Sequence, residues 1–159
     1  MSLSQQAIAE LSAAEDYFKR STRNLEEAHS GFAPAAGMMT AAQQVAHAAQ
    51  TIDWFMEGAF RPSGFSMDFE DQAKVVQTYT SLVASRAWFD KAMTSAKSLL
   101  AGKSDADLLA PLPQDGIMGG APRMAIIGAI VDHTAHHRGA LTVYARLNNV
   151  VPPMPYMEA

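Results

Sequence analysis

His133 and His137 stand four residues apart in the stretch Asp132-His133-Thr134-Ala135-His136-His137-Arg138, inside a run of helical periodicity. On a helix that spacing puts both rings on one face, about 6 Å apart along the axis. Both can then reach a single ion at roughly the 2.0–2.1 Å of zinc–nitrogen bonds. The seam Ile126, Ile130, His133, His137, Ala140, Tyr144, Leu147 alternates steps of four and three, which predicts a stripe facing the core. Burying two imidazoles costs free energy unless their ring nitrogens are satisfied, and a metal ion satisfies one on each. Ordinary core histidines, each hydrogen-bonded to a neighbour, are the other reading of the same pattern. His133 with His136 is a second pair by spacing. His136 lies off the seam beside Asp132 and Val143, where a flank or ligand-orienting role fits it better.

Two residues of one helical turn leave most of a metal's coordination shell empty, so a third ligand has to come from another helix. His47, in Gln43-Gln44-Val45-Ala46-His47, is one candidate. It falls on the polar stripe Thr40, Gln43, Gln44, Gln50, Thr51, Trp54, which is either an exposed face or the wall of a polar cavity. Asp53 is the rival, following the small residues Ala42, Ala46 and Ala49. His133, His137 and Asp53 would form a two-histidine, one-carboxylate set suited to iron as well as zinc. Periodicity does not choose between them. His29 is expected at the end of the first helix, where an imidazolium interacts favourably with the C-terminal dipole.

The rest of the composition narrows the chemistry by exclusion. The 159 residues carry 12 Lys+Arg against 16 Asp+Glu, a formal net charge of −4, and no Cys. Without Cys there is no disulfide framework, no thiolate metal ligand and no Cys nucleophile, so any sulfur in a reaction arrives with a substrate. No basic cluster is present to neutralise phosphates, which argues against nucleic acid or an anionic membrane as the main partner. No apolar run approaches the roughly 18 residues of a membrane span, and Met1-Ser2-Leu3-Ser4 does not open a signal peptide, so a cytoplasmic location is expected. With 48% hydrophobic residues, the chain is expected to fold as one domain over residues 1–159.

Glycine and proline divide the sequence into four Ala-rich segments. The first runs from about Ser4 to Glu27, with Ile8, Leu11, Tyr17, Phe18 and Leu25 on one side. The second runs from about Met38 to Ala59 on the stripe Met38, Ala42, Val45, Ala49, Ile52, Met56. The third starts near Asp68, with acidic residues at its positive end, and is predicted to reach about Leu100. After a loop from Gly102 to Ala121, Pro122 opens a fourth that ends near Leu147. Amphipathic segments of this length can bury their stripes only against one another, which predicts an all-α four-helix bundle. The long loops permit crossover connections.

The block Asp132-His133-Thr134-Ala135-His136-His137-Arg138-Gly139-Ala140-Leu141, with the following Asn-Val-Val-Pro-Pro, resembles the fourth-helix signature of the DinB-like (YfiT-like) family. His47 followed by Trp54 is similar to that family's first histidine and its surroundings. The resemblance implies a four-helix bundle, often a homodimer, with a divalent metal on three histidines, here His47, His133 and His137. It thus favours His47 over Asp53. The ion would be zinc, nickel, iron or manganese, which three imidazoles accept according to supply. Three neutral imidazoles leave open positions on an ion, and an ion there lowers the pKa of a bound water or thiol. Characterised relatives activate a small thiol for transfer to an electrophile, so the resemblance implies a metal-dependent thiol transferase of detoxification. A stress-associated metal-binding module without turnover, or a metal-dependent hydrolase, are the alternatives. In the transferase reading Gln43, Gln44 and Thr51 line the cavity and Arg138 offers a fork to a carboxylate, while Asp132 orients a ligand ring.

Overall fold

The computed structural model describes residues 1–114 and 116–157. Asp115, in the third predicted loop, and the last two residues of the expected domain lie outside the described residues. The helices are α1 (Leu3–Thr22), α2 (Ala41–Phe60), α3 (Phe69–Gln77), α4 (Leu82–Ala101), α5 (Asp105–Leu109) and α6 (Ala125–Leu147), with a 3-10 turn at Glu27–His29. Among the described residues there is no strand, only an isolated bridge between Pro111 and Pro122. No described helix is long and apolar enough to cross a membrane.

Four long helices form the bundle. α1 packs against α4 and α6, and α2 packs against the same two, so chain neighbours α1 and α2 occupy opposite corners. Cross-helix bonds give the directions. Ser4 bonds Leu100 and Arg86 bonds Thr22, so α1 and α4 are antiparallel. Gln44 reaches Tyr144 while Thr51 reaches His133, so α2 and α6 are antiparallel too. The chain therefore runs up through α1, down α2, back along α2 by way of α3, down α4 and up α6. The crossover is the 61–81 segment that contains α3, most of which the sequence predicts as the first part of the third helix.

Local chemistry sets the helix starts. Ser2 with Gln5 and Thr40 with Gln43 form reciprocal capping boxes at α1 and α2. The predicted third helix, continuous to Leu100, is instead two. Thr78 closes α3 by bonding back to Val75, and Ser81 caps α4 by accepting from Ala84. The two pieces also have different partners: α3 buries only Val76, whereas α4 buries Leu82, Ser85, Phe89, Ala92, Met93, Ala96 and Leu100. At the same end of the bundle, Ser30 and Glu27 accept from the free N–H groups of Leu82 and Val83 at the start of α4. His29 is therefore not at the C-terminus of α1 but at the end of the 3-10 turn. α1 ends at Thr22, and the His29 ring accepts the Glu26 N–H to close the 3-10 turn. Part of the predicted third loop is also helical, as α5.

The core is built on small residues of α2. Ala41, Ala42, Ala46, Ala48 and Ala49 are all buried, which lets α4 and α6 approach closely. Phe18 of α1 and Phe89 of α4 stack across the opposite side at 4.4 Å between centroids. Between those helices Glu15 is buried, held by Lys19 at 2.7 Å and Lys97 at 2.5 Å. Burial raises its carboxyl, but the two ammonium groups outweigh that and hold it below its ordinary value. The α6 seam departs from the predicted one. Ile126, Ile130, His137 and Tyr144 are buried, but Thr134, Leu141 and Ala145 replace Ala140 and Leu147, and Leu147 is exposed. α6 is covered by α1 on one side as well as α2 on the other, which widens its buried face.

Candidate metal centre

The antiparallel crossing of α2 and α6 brings three imidazoles together. His47 comes from the middle of α2, His133 and His137 from successive turns of α6, and their ligating nitrogens all lie within 4.8 Å of one another. The His47 ring centroid is 5.0 Å from those of His133 and His137, which are 4.4 Å from each other. The His133 and His137 Nε2 atoms face each other at 3.2 Å. Two nitrogens bound to one tetrahedral ion at about 2.0–2.1 Å stand roughly 3.3 Å apart, so the pair has the spacing of ligands.

The outer nitrogens settle which atoms are free to coordinate. His137 Nδ1 lies 2.5 Å from Gln44 Oε1, the Gln44 amide donates to the Tyr144 hydroxyl at 3.2 Å, and that hydroxyl donates to the Met39 carbonyl at 2.8 Å. An amide oxygen only accepts, so His137 carries its proton on Nδ1 and presents a lone pair at Nε2. The Gln50 amide lies beside the His47 ring and favours its protonated form. Gln50 in turn donates to Gln72 of α3 at 2.7 Å, and Gln72 donates to the Ser66 carbonyl. Thr51 Oγ1 sits 3.5 Å from His133 Nε2.

Burial keeps the cluster uncharged. It pushes the imidazoles of His133 and His137 down to about 4 and about 3, and the neighbouring rings add to the effect. His47 is pushed down by burial as well, against the Gln50 amide, which favours the proton. Neutral, lone-pair-bearing imidazoles are the form that binds metal.

The other predicted residues lie around or away from this cluster. His136 is exposed, with its ring 5.0 Å from that of His137, and Asp132 is exposed beside it. Gln43 caps α2 and donates to the Gln77 carbonyl, on the wall of a cavity next to His47. Asp53 points to α4 and accepts from the Trp88 indole at 2.7 Å, outside the histidine group. Arg138 lies toward α1, 5.7 Å from each of the rings of Tyr17 and Tyr156, which touch edge to face. Three supporting residues went unselected in the sequence: Gln50, Gln72 and Tyr144. Gln50 is one turn beyond His47 on the same polar stripe, and Tyr144 two turns beyond His137 on the seam, so both had a signal in spacing. Gln72 had none.

Comparison with known proteins agrees with this architecture. Residues 10–141 match the family model described as the DinB superfamily, a span that includes all three clustered histidines. Neither the curated proteins nor the solved structures yielded a match.

Proposed function

Because the chain belongs to the DinB superfamily, we propose that His47, His133 and His137 hold one divalent ion and that the protein is a metal-dependent transferase acting with a small thiol. The observation that carries the reading is the convergence of three neutral imidazoles, one of them oriented by the Gln44 amide, at the edge of an open cavity. Such a donor set suits zinc, nickel, iron or manganese, and with only three protein ligands it leaves coordination positions for a substrate. A bound ion supplies Lewis acidity, which lowers the pKa of a thiol or water beside it.

The chain's own residues supply the rest. Gln44 fixes the His137 tautomer, Gln50 lies beside the His47 ring, and the buried Thr51 holds its hydroxyl 3.5 Å from His133 Nε2. The chain has no Cys, so the sulfur belongs to the substrate. Arg138, stacked on the far side of α6, is not available to clamp a carboxylate near the histidines. We include in the proposal the homodimer and cytoplasmic location expected of such an enzyme, the former read by sedimentation.

The test begins with elemental analysis of untagged protein beside a His133→Ala, His137→Ala double variant. About one equivalent of metal in the first and none in the second is expected, and equal contents would remove the site. The metal-loaded protein is then incubated with a thiol panel and an electrophile panel. Adduct formation abolished by chelation supports the transferase. Metal binding without any adduct, together with a large loss of melting temperature on chelation, would leave a structural or storage role instead.

A further inference from the structure

Beside His47 a cavity of about 390 Å³ opens between α2, α3 and the residues leading into α2. That volume falls in the usual range of small-molecule sites, about 300–1,000 Å³. Its lining divides into two kinds of residue. Met38, Met39, Phe69 and Val76 make an apolar part, and Gln43, Gln50, Gln72 and Gln77 ring it with amides. No Lys, Arg, Asp or Glu is among the described residues that line it. The nearby charges of α3 are engaged with one another on its outer side, where Lys74 holds Glu70 at 2.9 Å and Asp71 at 3.0 Å. The apolar part is also uncovered for a small protein, since Phe69 and Met38 are about half exposed at its rim.

We infer that this cavity selects an uncharged ligand, with an apolar group seated on Met38, Phe69 and Val76 and with hydroxyl or amide groups facing the glutamines. The inference rests on the transferase reading only for the ligand's destination at the histidines. A carboxylate carried into the metal-free cavity would lose its hydration without meeting a cationic side chain, a cost that a neutral amide or hydroxyl avoids by exchanging hydrogen bonds with the glutamines. Glutamine side chains suit that exchange because each both donates and accepts. The cavity also shares its wall with the centre: His47 and Gln50 both line it, and Gln50 donates to Gln72 of α3. A ligand seated against α3 therefore presses on the amide pair beside His47.

Two probes with one skeleton test this: S-methyl-N-acetylcysteine benzylamide and the same compound with a carboxylate on the benzyl ring. Their methylated sulfur cannot form a thiolate, and in the full-length, chelator-treated protein neither it nor the carboxylate has an ion to ligate, so calorimetric titration reads the cavity alone. The neutral probe is expected to bind about tenfold or more tightly. Ala73 is an exposed lining residue of α3, so Ala73→Trp fills the space without touching the core and should bring the neutral probe down to the level of the acid. Ala73→Lys should narrow or reverse the preference. Equal affinities, no measurable binding of the neutral probe, or an Ala73→Trp variant that binds it unchanged would overturn the inference. Cobalt absorption of the same protein, loaded with metal in separate samples without probe, reports the histidine site. Its absence would sink the metal reading while leaving the probe ranking intact.

Discussion

His137 Nδ1 and Gln44 Oε1 stand 2.5 Å apart in the buried space between α6 and α2. The contact is one end of a relay that continues through Tyr144 to the Met39 carbonyl. Because the amide nitrogen is engaged by Tyr144, the amide cannot flip to face His137 with a donor. The relay thus decides the imidazole tautomer as well as its position. Gln44→Leu is expected to weaken metal affinity by about ten- to a hundredfold, the usual effect of removing an outer partner of a ligating histidine. Tyr144→Phe keeps the Gln44 contact and should cost less than about tenfold. Competition with a chelator of known affinity reads both, and an unchanged affinity in Gln44→Leu would show that the relay orients nothing.

The depressed imidazoles make a prediction about protons. Three histidines of ordinary pKa would be mostly protonated at about pH 5.5 and would release nearly three protons on binding an ion. Here His133 and His137 titrate at about 4 and about 3, and His47 is lowered by burial in the same direction. Fewer than about one proton per ion should therefore be released at that pH. Calorimetry of metal binding in buffers of different ionisation enthalpy counts these protons. A count near three would mean that the rings are solvated in solution.

Much of the centre was legible in the sequence, for a reason that also shows where legibility stops. A helix repeats every 3.6 residues, so the spacing of His133 and His137 says that they share a face whatever lies opposite. What lies opposite depends on which helices pack and in which direction. That is why His47, on the stripe of Gln43, Gln50 and Trp54, reads equally as an exposed face, and why periodicity alone leaves Asp53 as its rival; the structure gives Asp53 Trp88 of α4 as its partner. Propensity likewise carried the third segment through residues 78–81, because Thr-Tyr-Thr-Ser has no glycine or proline to stop a helix. Two short bonds, Thr78 to Val75 and Ala84 to Ser81, end one helix and begin the next. The separate course of α3 along α2 is what creates the cavity, and it rests on those local bonds.

Acid should destabilise the metal-free protein through the same histidines. Their folded pKa values lie below the ordinary 6.5, so between about pH 6.5 and pH 4 the unfolded chain binds protons that the folded one refuses. Their contribution to stability is complete above about pH 6.5 and is lost as the pH falls toward the folded values of about 4 and about 3. Urea midpoints of the chelator-treated protein should fall across that window. The His133→Ala, His137→Ala variant should show a flatter dependence, since Glu15, also lowered, remains in both proteins. Parallel curves for the two proteins would assign the acid sensitivity to other groups.

Two glycines in helices should respond oppositely to one added methyl group. A Cβ on Gly58, near the end of α2, would lie 2.1 Å from Phe65 Cδ1 and 2.6 Å from Cγ, too close for any rotation of the ring about its own axis to relieve. Phe65 packs on Trp54 at 4.9 Å between centroids, and Trp54 donates to the Ser66 carbonyl at 2.8 Å, so this contact anchors the start of the crossover. Gly58→Ala must therefore displace Phe65, at a cost of roughly 1–3 kcal/mol. The displaced crossover should exchange its amide hydrogens faster through α3, which buries only Val76. Gly128 is exposed on α6, and a Cβ there meets nothing within 4 Å. Gly128→Ala should be stabilising by about 0.5–1 kcal/mol, because it removes backbone freedom from the unfolded chain and fits the helix. Denaturant unfolding of both variants, with exchange followed over residues 61–77, checks the pair. Gly58→Ala as stable as the parent would mean that the Phe65 ring is not seated against α2 in solution.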